Sequence, residues 1–293
     1  MEQVTIIGAG PAGLAAALQL KRGGMTPLLL ERAGIGGLLR NAQLVANYPG
    51  FPGGVSGPEL VRLFAEQAAR ASLEVTCDEV VELTCPSGLF QIRTRRALYR
   101  SDTVVIASGT RPVPFPEGLV PADACDLLSY EVHPIREVAG KTLAVVGAGD
   151  AAFDYALSLA ERNHVTILNR GERVKCLPVL WERASANPHI SYLSSTSISR
   201  MARSSADCLT LECATPTTTL RLDIHYLIGA LGREPELGFV SGEVRAQMTP
   251  LQVSGRLHII GDVRNGAFRQ TAIAAGEGVR AGMEIVRRLK ESC

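Results

Sequence analysis

Three glycines near the start of the chain have the spacing of a dinucleotide-binding loop. Gly8, Gly10 and Gly13 follow the apolar run 4–7 in the order G-x-G-x-x-G. In this pattern the first glycine permits a tight turn, the second lets a pyrophosphate approach the backbone, and the third allows close packing of helix and strand. Glu31, 18 residues after Gly13, ends a second apolar run, where a carboxylate binds ribose hydroxyls. The predicted contacts are Gly8, Gly10, Pro11, Ala12, Gly13, Glu31 and Arg32.

A second loop of the same kind lies near the middle of the chain. Gly147, Gly149 and Ala152 follow the apolar run 142–146 as G-x-G-x-x-A, and a helix and another strand come next. That strand ends without an acid, and a 2′-phosphate would favour cations there. Arg170 and Arg173 supply them. Glu172 weakens this interpretation, and a solvated turn is the alternative. The predicted contacts are Gly147, Gly149, Asp150, Ala151, Asn169, Arg170 and Arg173.

The last predicted strand, residues 256–260, ends in Gly261-Asp262. Ligands of open α/β sheets bind at the carboxyl ends of strands, so Asp262 is a candidate contact. Arg269, Gln270 and Thr271 then open the final helix. Its N–H dipoles can face a group that becomes anionic.

Strands and helices must hold these loops in place. The pattern predicts strands at 79–83, 89–93 and 103–107, and a helix capped by Ser56. Residues 33–39 are glycine-rich, which permits close approach to a bound group or makes a plain flexible loop. Residues 190–222 read as a strand meander.

Two proline- or glycine-marked segments, 111–116 and 229–235, are candidate linkers. They predict a first domain in two parts, residues 1–112 and 233–293, interrupted by a second domain at 113–232. The length of 293 residues is enough for about two domains.

Composition narrows the class of protein. With 46% hydrophobic and 20% charged residues, the chain is typical of globular proteins. A net charge of +1 gives no indication of nucleic-acid binding, and no run reaches the roughly 18 apolar residues of a membrane span. The chain enters a strand at once, which predicts no signal peptide and a cytoplasmic location.

The seven cysteines are scattered and contain no C-x-x-C. An odd number without that spacing argues against a disulfide framework and against a zinc site. Free thiols in a reducing compartment are the expectation. The cysteines are Cys77, Cys85, Cys125, Cys176, Cys208, Cys213 and Cys293.

Together these motifs resemble the low-molecular-weight thioredoxin reductase family, which consists of flavoproteins of the pyridine nucleotide-disulfide oxidoreductase type. The resemblance covers nearly the whole chain. It rests on the two glycine loops, Gly36-Gly37, Asn47-Tyr48-Pro49-Gly50, Ala107-Ser108-Gly109, Ala230-Leu231-Gly232-Arg233, Gly261-Asp262-Val263 and Arg269-Gln270.

The resemblance implies an α/β protein with two Rossmann-like three-layer β/β/α nucleotide-binding domains, the second inserted into the first. It implies FAD in the first domain and NADPH in the second. Gly37 and Asn47 would lie near the isoalloxazine, Asp262 on the ribityl chain, and Gln270 with Thr271 at the pyrimidine edge. The family usually has two adjacent arginines at Arg170, and Gly171 in second place leaves NADH possible. Further implied cofactor contacts are Gly36, Leu38, Ala107, Ser108, Gly109, Gly261 and Arg269.

One departure from the family concerns its redox pair. Thioredoxin reductases carry C-x-x-C shortly before the second glycine loop, and here Tyr130 and His133 lie about where those cysteines would be. Cys125 is single and further upstream. Tyr130, His133 and Cys125 are therefore the candidate catalytic residues, although His133 also fits an ordinary surface loop. Ala12 fills the slot in which another branch of the family carries one cysteine.

The sequence thus predicts an FAD-dependent NAD(P)H oxidoreductase whose acceptor is not an internal disulfide. Ferredoxin, flavodoxin, a quinone or a small molecule are the candidate acceptors. The resemblance also implies a homodimer, and no metal site or membrane partner is expected. The alternatives are a flavin-binding scaffold or sensor without NADPH turnover, and a flavoenzyme reduced from outside by ferredoxin.

Overall fold

The structure is a computed structural model that describes residues 2–291. Cys293 lies outside the described residues. In chain order the strands are β1 (Glu2–Ile7), β2 (Leu28–Glu31), β3 (Val75–Cys77), β4 (Val80–Thr84), β5 (Phe90–Thr94), β6 (Leu98–Ile106), β7 (Thr110–Pro112), β8 (Leu128–Ser129), β9 (Thr142–Val146), β10 (His164–Leu168), β11 (Ile190–Leu193), β12 (Ser197–Ser205), β13 (Cys208–Ala214), β14 (Thr219–Ile224), β15 (Tyr226–Gly229), β16 (Arg233–Pro235) and β17 (Leu257–Ile259). The α-helices are α1 (Pro11–Arg22), α2 (Gly57–Arg70), α3 (Asp150–Leu159), α4 (Pro178–Ser185), α5 (Gly242–Ala246), α6 (Met248–Val253) and α7 (Thr271–Glu291).

The chain forms two compact units. The first is built from the chain up to Arg40, from Val45–Arg111 and from Glu234 onward. The second is built from Pro112–Arg233 together with the short segment Asn41–Leu44. One unit thus interrupts the other, as the predicted fold class requires. The predicted domain limits, residues 113 and 232, stay a prediction.

The first unit contains a mainly parallel sheet in the order β3-β2-β1-β6-β5-β4, and β17 also pairs with β6. The long strand β6 pairs with three other strands. Its beginning pairs with β5 in antiparallel fashion, and its later residues pair with β1 and β17 in parallel. This arrangement brings the ends of β1, β6 and β17 to one edge of the sheet.

Apolar side chains cover both faces of this sheet, because successive residues of a strand point to opposite sides. Ile6 and Val105 pack toward α1 and α7, whereas Ile7 and Ile106 pack toward β4, β5 and the short helices α5 and α6. The result is a three-layer β/β/α unit. β4 and β5 begin one residue later than the sequence predicted, and Ser56 caps α2 by accepting the N–H of Glu59.

The second unit repeats the architecture with a five-stranded parallel sheet in the order β11-β10-β9-β15-β8. Leu143 and Val145 face α3 and α4, and Ala144 faces the antiparallel sheet β12-β13-β14. The predicted meander of residues 190–222 is correct for β12 to β14. The first strand of that segment, β11, instead pairs in parallel with β10. In this pairing the apolar residues Ile190 and Leu193 lie beside Val165 and Leu168.

Among the described residues, no helix has both the length and the hydropathy needed to cross a membrane.

Candidate functional site

The first glycine loop, residues 8–13, joins β1 to α1, and each of its glycines has a different surrounding. Gly8 has a φ of +106°, and a Cβ there would lie 2.4 Å from the carbonyl oxygen of Ala107. A Cβ on Gly13 would lie 1.8 Å from the oxygen of Gly8. At these two positions neighbouring backbone atoms leave no room for a side chain.

Gly10 is the open position of the loop. A Cβ on Gly10 would meet nothing within 4 Å. Gly10 is also the N-cap of α1, Pro11 opens the helix, and its first turn carries no acidic side chain. Free N–H groups and the positive end of the helix dipole therefore border an open space. A pyrophosphate fits such a space because it is an anion that accepts hydrogen bonds. Ala12 is buried beside this turn.

Glu31 at the end of β2 is fixed by two backbone groups. One of its carboxylate oxygens accepts the N–H of Ala9 at 2.8 Å, and the other accepts the N–H of Ala33 at 2.9 Å. The carboxylate therefore fastens the glycine loop to β2, and each oxygen keeps a lone pair for a further donor. Its predicted contact with ribose stays a prediction. Arg32 is half-exposed and lies 3.7 Å from Glu236.

The glycine-rich segment after β2 lies against the first loop. The N–H of Gly36 donates to the oxygen of Ala9 at 2.9 Å. Gly37 has a φ of +53°, and a Cβ on it would lie 3.4 Å from the Cα of Gly10. Leu38 is half-buried in the 3₁₀ turn Gly37–Asn41. The segment is thus an ordered wall of the site.

The end of β6 closes the site from another side. The N–H of Ala107 donates to the oxygen of Ile7 at 2.8 Å, which continues the pairing of β6 with β1. The hydroxyl of Ser108 donates to the oxygen of Glu236 at 2.6 Å, and Gly109 accepts the N–H of Glu236 at 3.0 Å. The segment following β16 therefore holds Ala107-Ser108-Gly109.

Asp262 lies in the 3₁₀ turn Gly261–Val263 that follows β17. The N–H of Gly261 donates to Glu277 on α7 at 2.6 Å. The sequence analysis assigned no role to Glu277. The only signal for it in the sequence is its place between two glycines, Gly276 and Gly278, of the last helix.

The start of α7 contributes a pair of amides. The Nδ2 of Asn47 donates to the Oε1 of Gln270 at 2.9 Å. The sequence placed both residues near the isoalloxazine, and the structure brings them together from distant parts of the chain. Arg269 is partly buried before them, and Thr271 begins the helix.

The second glycine loop, residues 147–152, repeats the geometry of the first inside the second unit. Gly147 has a φ of +147°, and a Cβ there would lie 2.4 Å from the oxygen of Ala230. Gly149 has nothing within 4 Å of a Cβ position, as at Gly10. Ala152 replaces the third glycine and is buried. Asp150 and Ala151 form the first turn of α3.

Two hydrogen bonds, one to a side-chain carboxylate and one to a backbone carbonyl, tie the second loop to the segment that follows β10. Asp150 accepts the N–H of Leu177 at 2.8 Å, and Ala148 accepts the N–H of Lys175 at 2.9 Å. Asn169 is buried, where it accepts the N–H of Gly171 and donates to Arg173 and Tyr192. Its amide therefore shapes the loop, and its predicted cofactor contact stays a prediction.

Cations are concentrated on this same segment. Arg170, Arg173 and Lys175 are exposed, and none of them takes part in an ion pair within the structure's described range. Glu172 is exposed among them. Lys175 was missed by the sequence analysis because it lies beyond Glu172, and only its bond to Ala148 shows that it borders the glycine loop.

The three candidate catalytic residues occupy different settings in the second unit. The hydroxyl of Tyr130 accepts the N–H of Phe115 at 3.0 Å, and its ring packs 5.8 Å from that of Phe115. His133 is exposed. Cys125 is exposed in a 3₁₀ turn, with its thiol 3.9 Å from the oxygen of Pro121. Tyr130 is thus engaged in packing, and a catalytic role for any of the three stays a prediction.

The segment Asn41–Leu44 is bound within the second unit by polar side chains. Asn41 accepts the N–H of His133 at 2.9 Å, and Arg183 donates to Gln43 at 2.7 Å. Asp154 on α3 accepts the N–H of Gln43 at 3.0 Å. Burial raises the pKa of Asp154, although this backbone bond and nearby arginines oppose the shift.

The chain is similar to known proteins along nearly its whole length. The family model described as pyridine nucleotide-disulphide oxidoreductase matches residues 2–278. The thioredoxin reductase of Mycolicibacterium smegmatis is 28% identical over 306 residues, which cover 99% of this chain and 97% of that protein. A bifunctional thioredoxin reductase/thioredoxin of Mycobacterium leprae is 28% identical over 308 residues, which cover 99% of this chain and 66% of that protein.

Solved structures show the same fold. The thioredoxin reductase of Lactococcus lactis aligns with a TM-score of 0.84 at 23% identity, covering 99% of this chain and 100% of that one. The bacillithiol disulfide reductase of Bacillus cereus aligns with a TM-score of 0.74 at 19% identity, covering 98% and 99%.

These matches confirm the family resemblance and the α/β fold with two nucleotide-binding domains. They also confirm the oxidoreductase class, and FAD and NADPH as the cofactors that thioredoxin reductase-like members use. The residues present fit those groups, since both loops combine an open glycine with a helix N-terminus. The chain belongs to the pyridine nucleotide-disulphide oxidoreductase family and has a thioredoxin reductase-like fold.

Proposed function

We propose that this protein passes electrons from NADPH through FAD to an acceptor other than a disulfide formed within the chain. The observation that carries the proposal is a pair of open glycine loops, at Gly10 and Gly149, in a chain without C-x-x-C. Both loops leave open space beside a helix N-terminus, which supports two nucleotide sites, whereas the C-x-x-C dithiol of thioredoxin reductases is missing from the sequence.

In the first unit the residues bind and orient FAD. The N-terminus of α1 and the open space at Gly10 receive the pyrophosphate. Glu31 would bind the ribose hydroxyls and Asp262 the ribityl chain, and Asn47 with Gln270 would contact the flavin ring. When bound, FAD supplies hydride acceptance from the nicotinamide and electron release to the acceptor.

In the second unit the residues select the nucleotide. Arg170, Arg173 and Lys175 are exposed cations on the segment after β10, the position at which β2 carries Glu31. A 2′-phosphate is attracted by cations and repelled by a carboxylate. This charge pattern supports NADPH over NADH, and Glu172 reduces the preference.

The acceptor receives electrons without a protein dithiol on this chain. Ferredoxin, flavodoxin, a quinone and a small-molecule disulfide are the candidates. The fold neighbour from Bacillus cereus is named a bacillithiol disulfide reductase, and the relative from Mycolicibacterium smegmatis is named a thioredoxin reductase. The test set therefore includes low-molecular-weight disulfides and thioredoxin.

Stopped-flow mixing of the flavin-loaded protein with NADPH tests the first half of the proposal. We expect loss of the oxidised flavin absorbance band within the turnover time. A protein that binds flavin but is not reduced by NADPH would instead be a scaffold or sensor, or a flavoenzyme reduced by ferredoxin. Steady-state NADPH oxidation with each candidate acceptor then tests the second half. Turnover with thioredoxin that depends on a thiol of this chain would refute it.

We also propose a homodimer in the cytoplasm. The exposed face of α7 carries Val279 and Met283, which lie one helical turn apart and give an apolar surface for a second copy. Analytical ultracentrifugation of the wild type and of Met283→Glu tests the dimer. A monomeric wild-type protein would contradict it.

A further inference from the structure

The carboxylate of Glu277 joins three parts of the first unit. Glu277 lies in the second turn of α7, and its Oε2 accepts the N–H of Gly261 at 2.6 Å and the Nδ2 of Asn265 at 3.0 Å. One oxygen thus binds the first residue of the turn Gly261–Val263 and a side chain two residues beyond its end. Within the described part of the chain, the other oxygen accepts no hydrogen bond.

The same turn is confined from its opposite side. Gly261 has a φ of +75°, and a Cβ there would lie 2.8 Å from the Cβ of Ala12. The turn therefore lies between the first turn of α1 and the side chain of Glu277. Asp262 follows Gly261 directly, so a hydrogen bond that fixes the backbone of Gly261 also restricts the backbone of Asp262.

Helix α7 cannot slide to compensate for a change at Glu277. A Cβ on Gly278 would lie 2.2 Å from the oxygen of Ala12, and a Cβ on Gly282 would lie 2.8 Å from the Cβ of Gln19. These glycines bring α7 into close contact with α1 and fix its register. The length of the side chain at position 277 therefore decides whether its oxygen reaches Gly261.

We propose that Glu277 is a positioning residue for the flavin site: its carboxylate holds the turn Gly261–Val263 so that Asp262 stands where the cofactor binds. The proposal rests on the proposed function and deepens it, since Glu277 acts through the backbone and does not itself touch the cofactor. Its role depends on whether Oε2 of Glu277 reaches the N–H of Gly261.

Three substitutions separate geometry from charge. Glu277→Gln keeps the length of the side chain and one acceptor oxygen, and it removes the charge. Its NH₂ group would occupy the position of Oε1, the carboxylate oxygen that accepts no hydrogen bond from the described residues. Glu277→Asp keeps the charge and shortens the side chain by one carbon. Glu277→Ala removes both. Glu291→Gln on the same helix is the matched control, because Glu291 is exposed and pairs with Arg287 one turn away.

The first measurement is FAD affinity, from fluorescence quenching during titration of the apoprotein. Hydrogen bonds to a charged group correspond to roughly 10- to 100-fold in affinity. We expect Glu277→Asp and Glu277→Ala to weaken FAD binding by about that factor, Glu277→Gln by less than about tenfold, and Glu291→Gln to have no effect.

The second measurement is hydrogen exchange at the amide of Gly261 in the apoprotein. The bond to Glu277 protects this amide, so we expect exchange about tenfold faster or more in the aspartate variant and near-wild-type exchange in the glutamine variant. NADPH binding by the second unit serves as the check on folding, and if the alanine variant does not fold, the aspartate and glutamine variants decide.

Equal FAD affinity and equal Gly261 exchange in all the variants would overturn the proposal. Wild-type behaviour of the aspartate variant with loss in the glutamine variant would also overturn it, because charge and not reach would then be responsible. A wild-type protein that binds no flavin would contradict the proposed function instead, and the exchange of Gly261 would still test the role of Glu277.

Discussion

Gly10 and Gly13 belong to one loop, but the structure predicts opposite consequences for enlarging them. A Cβ at Gly10 would meet no atom within 4 Å, and the φ of −73° and ψ of −176° at this residue suit any amino acid. A Cβ at Gly13 would lie 1.8 Å from the oxygen of Gly8, which is a backbone atom that cannot move aside. Gly10→Val should therefore spare the fold and block the pyrophosphate, whereas Gly13→Ala should damage the fold.

The magnitudes follow from these contacts. Overpacking a close backbone contact costs about 1–3 kcal/mol, which lowers the Tm of a domain of this size by about 2–12 °C for Gly13→Ala. Gly10→Val should change the stability of the apoprotein by less than about 1 kcal/mol. Losing two charge-assisted bonds to the pyrophosphate, at about 1.5–3 kcal/mol each, corresponds to at least about a 100-fold loss of FAD affinity.

Thermal unfolding of the apoproteins and flavin titration measure the two effects separately. Gly149→Val is the control in the second unit, since Gly149 is equally open, and it should weaken NADPH binding while FAD binding stays unchanged. Flavin retained by Gly10→Val at wild-type affinity would refute the assignment of that open space. An apoprotein Tm lowered by Gly10→Val as much as by Gly13→Ala would refute the steric argument.

Three further predictions concern the second unit. Arg170→Ala should weaken NADPH use more than NADH use in steady-state assays, and equal use of the two nucleotides by the wild type would contradict the charge argument. Cys125→Ser should leave flavin reduction by NADPH unchanged, and a mixed disulfide trapped between Cys125 and a partner would contradict this. Burial raises the pKa of Asp154, so the folded protein holds this proton to a higher pH than the unfolded chain. Stability relative to Asp154→Asn should therefore fall as pH rises above 3.8, the ordinary value, and denaturant titrations showing a rise would refute the sign.

The sequence by itself was enough for the fold class and for both glycine loops. A buried strand, glycines at fixed spacing and a following helix form one continuous stretch, so local geometry alone determines the loop. Gly8, Gly147 and their positive φ values follow from this, as does the open space at Gly10 and Gly149. The absence of C-x-x-C is likewise a property of the sequence, and it needs no structure to exclude an internal dithiol of that spacing.

Contacts between distant segments were decided only by tertiary structure. The bond between Glu277 and Gly261 and the bond between Asn47 and Gln270 depend on how α7 packs on α1, and no periodicity encodes that distance. Packing also determined that Asn169 bonds within its own loop and that Lys175 borders the second glycine loop. Local patterns specify the backbone of a turn, but the partner of a polar side chain depends on which other elements the core brings beside it.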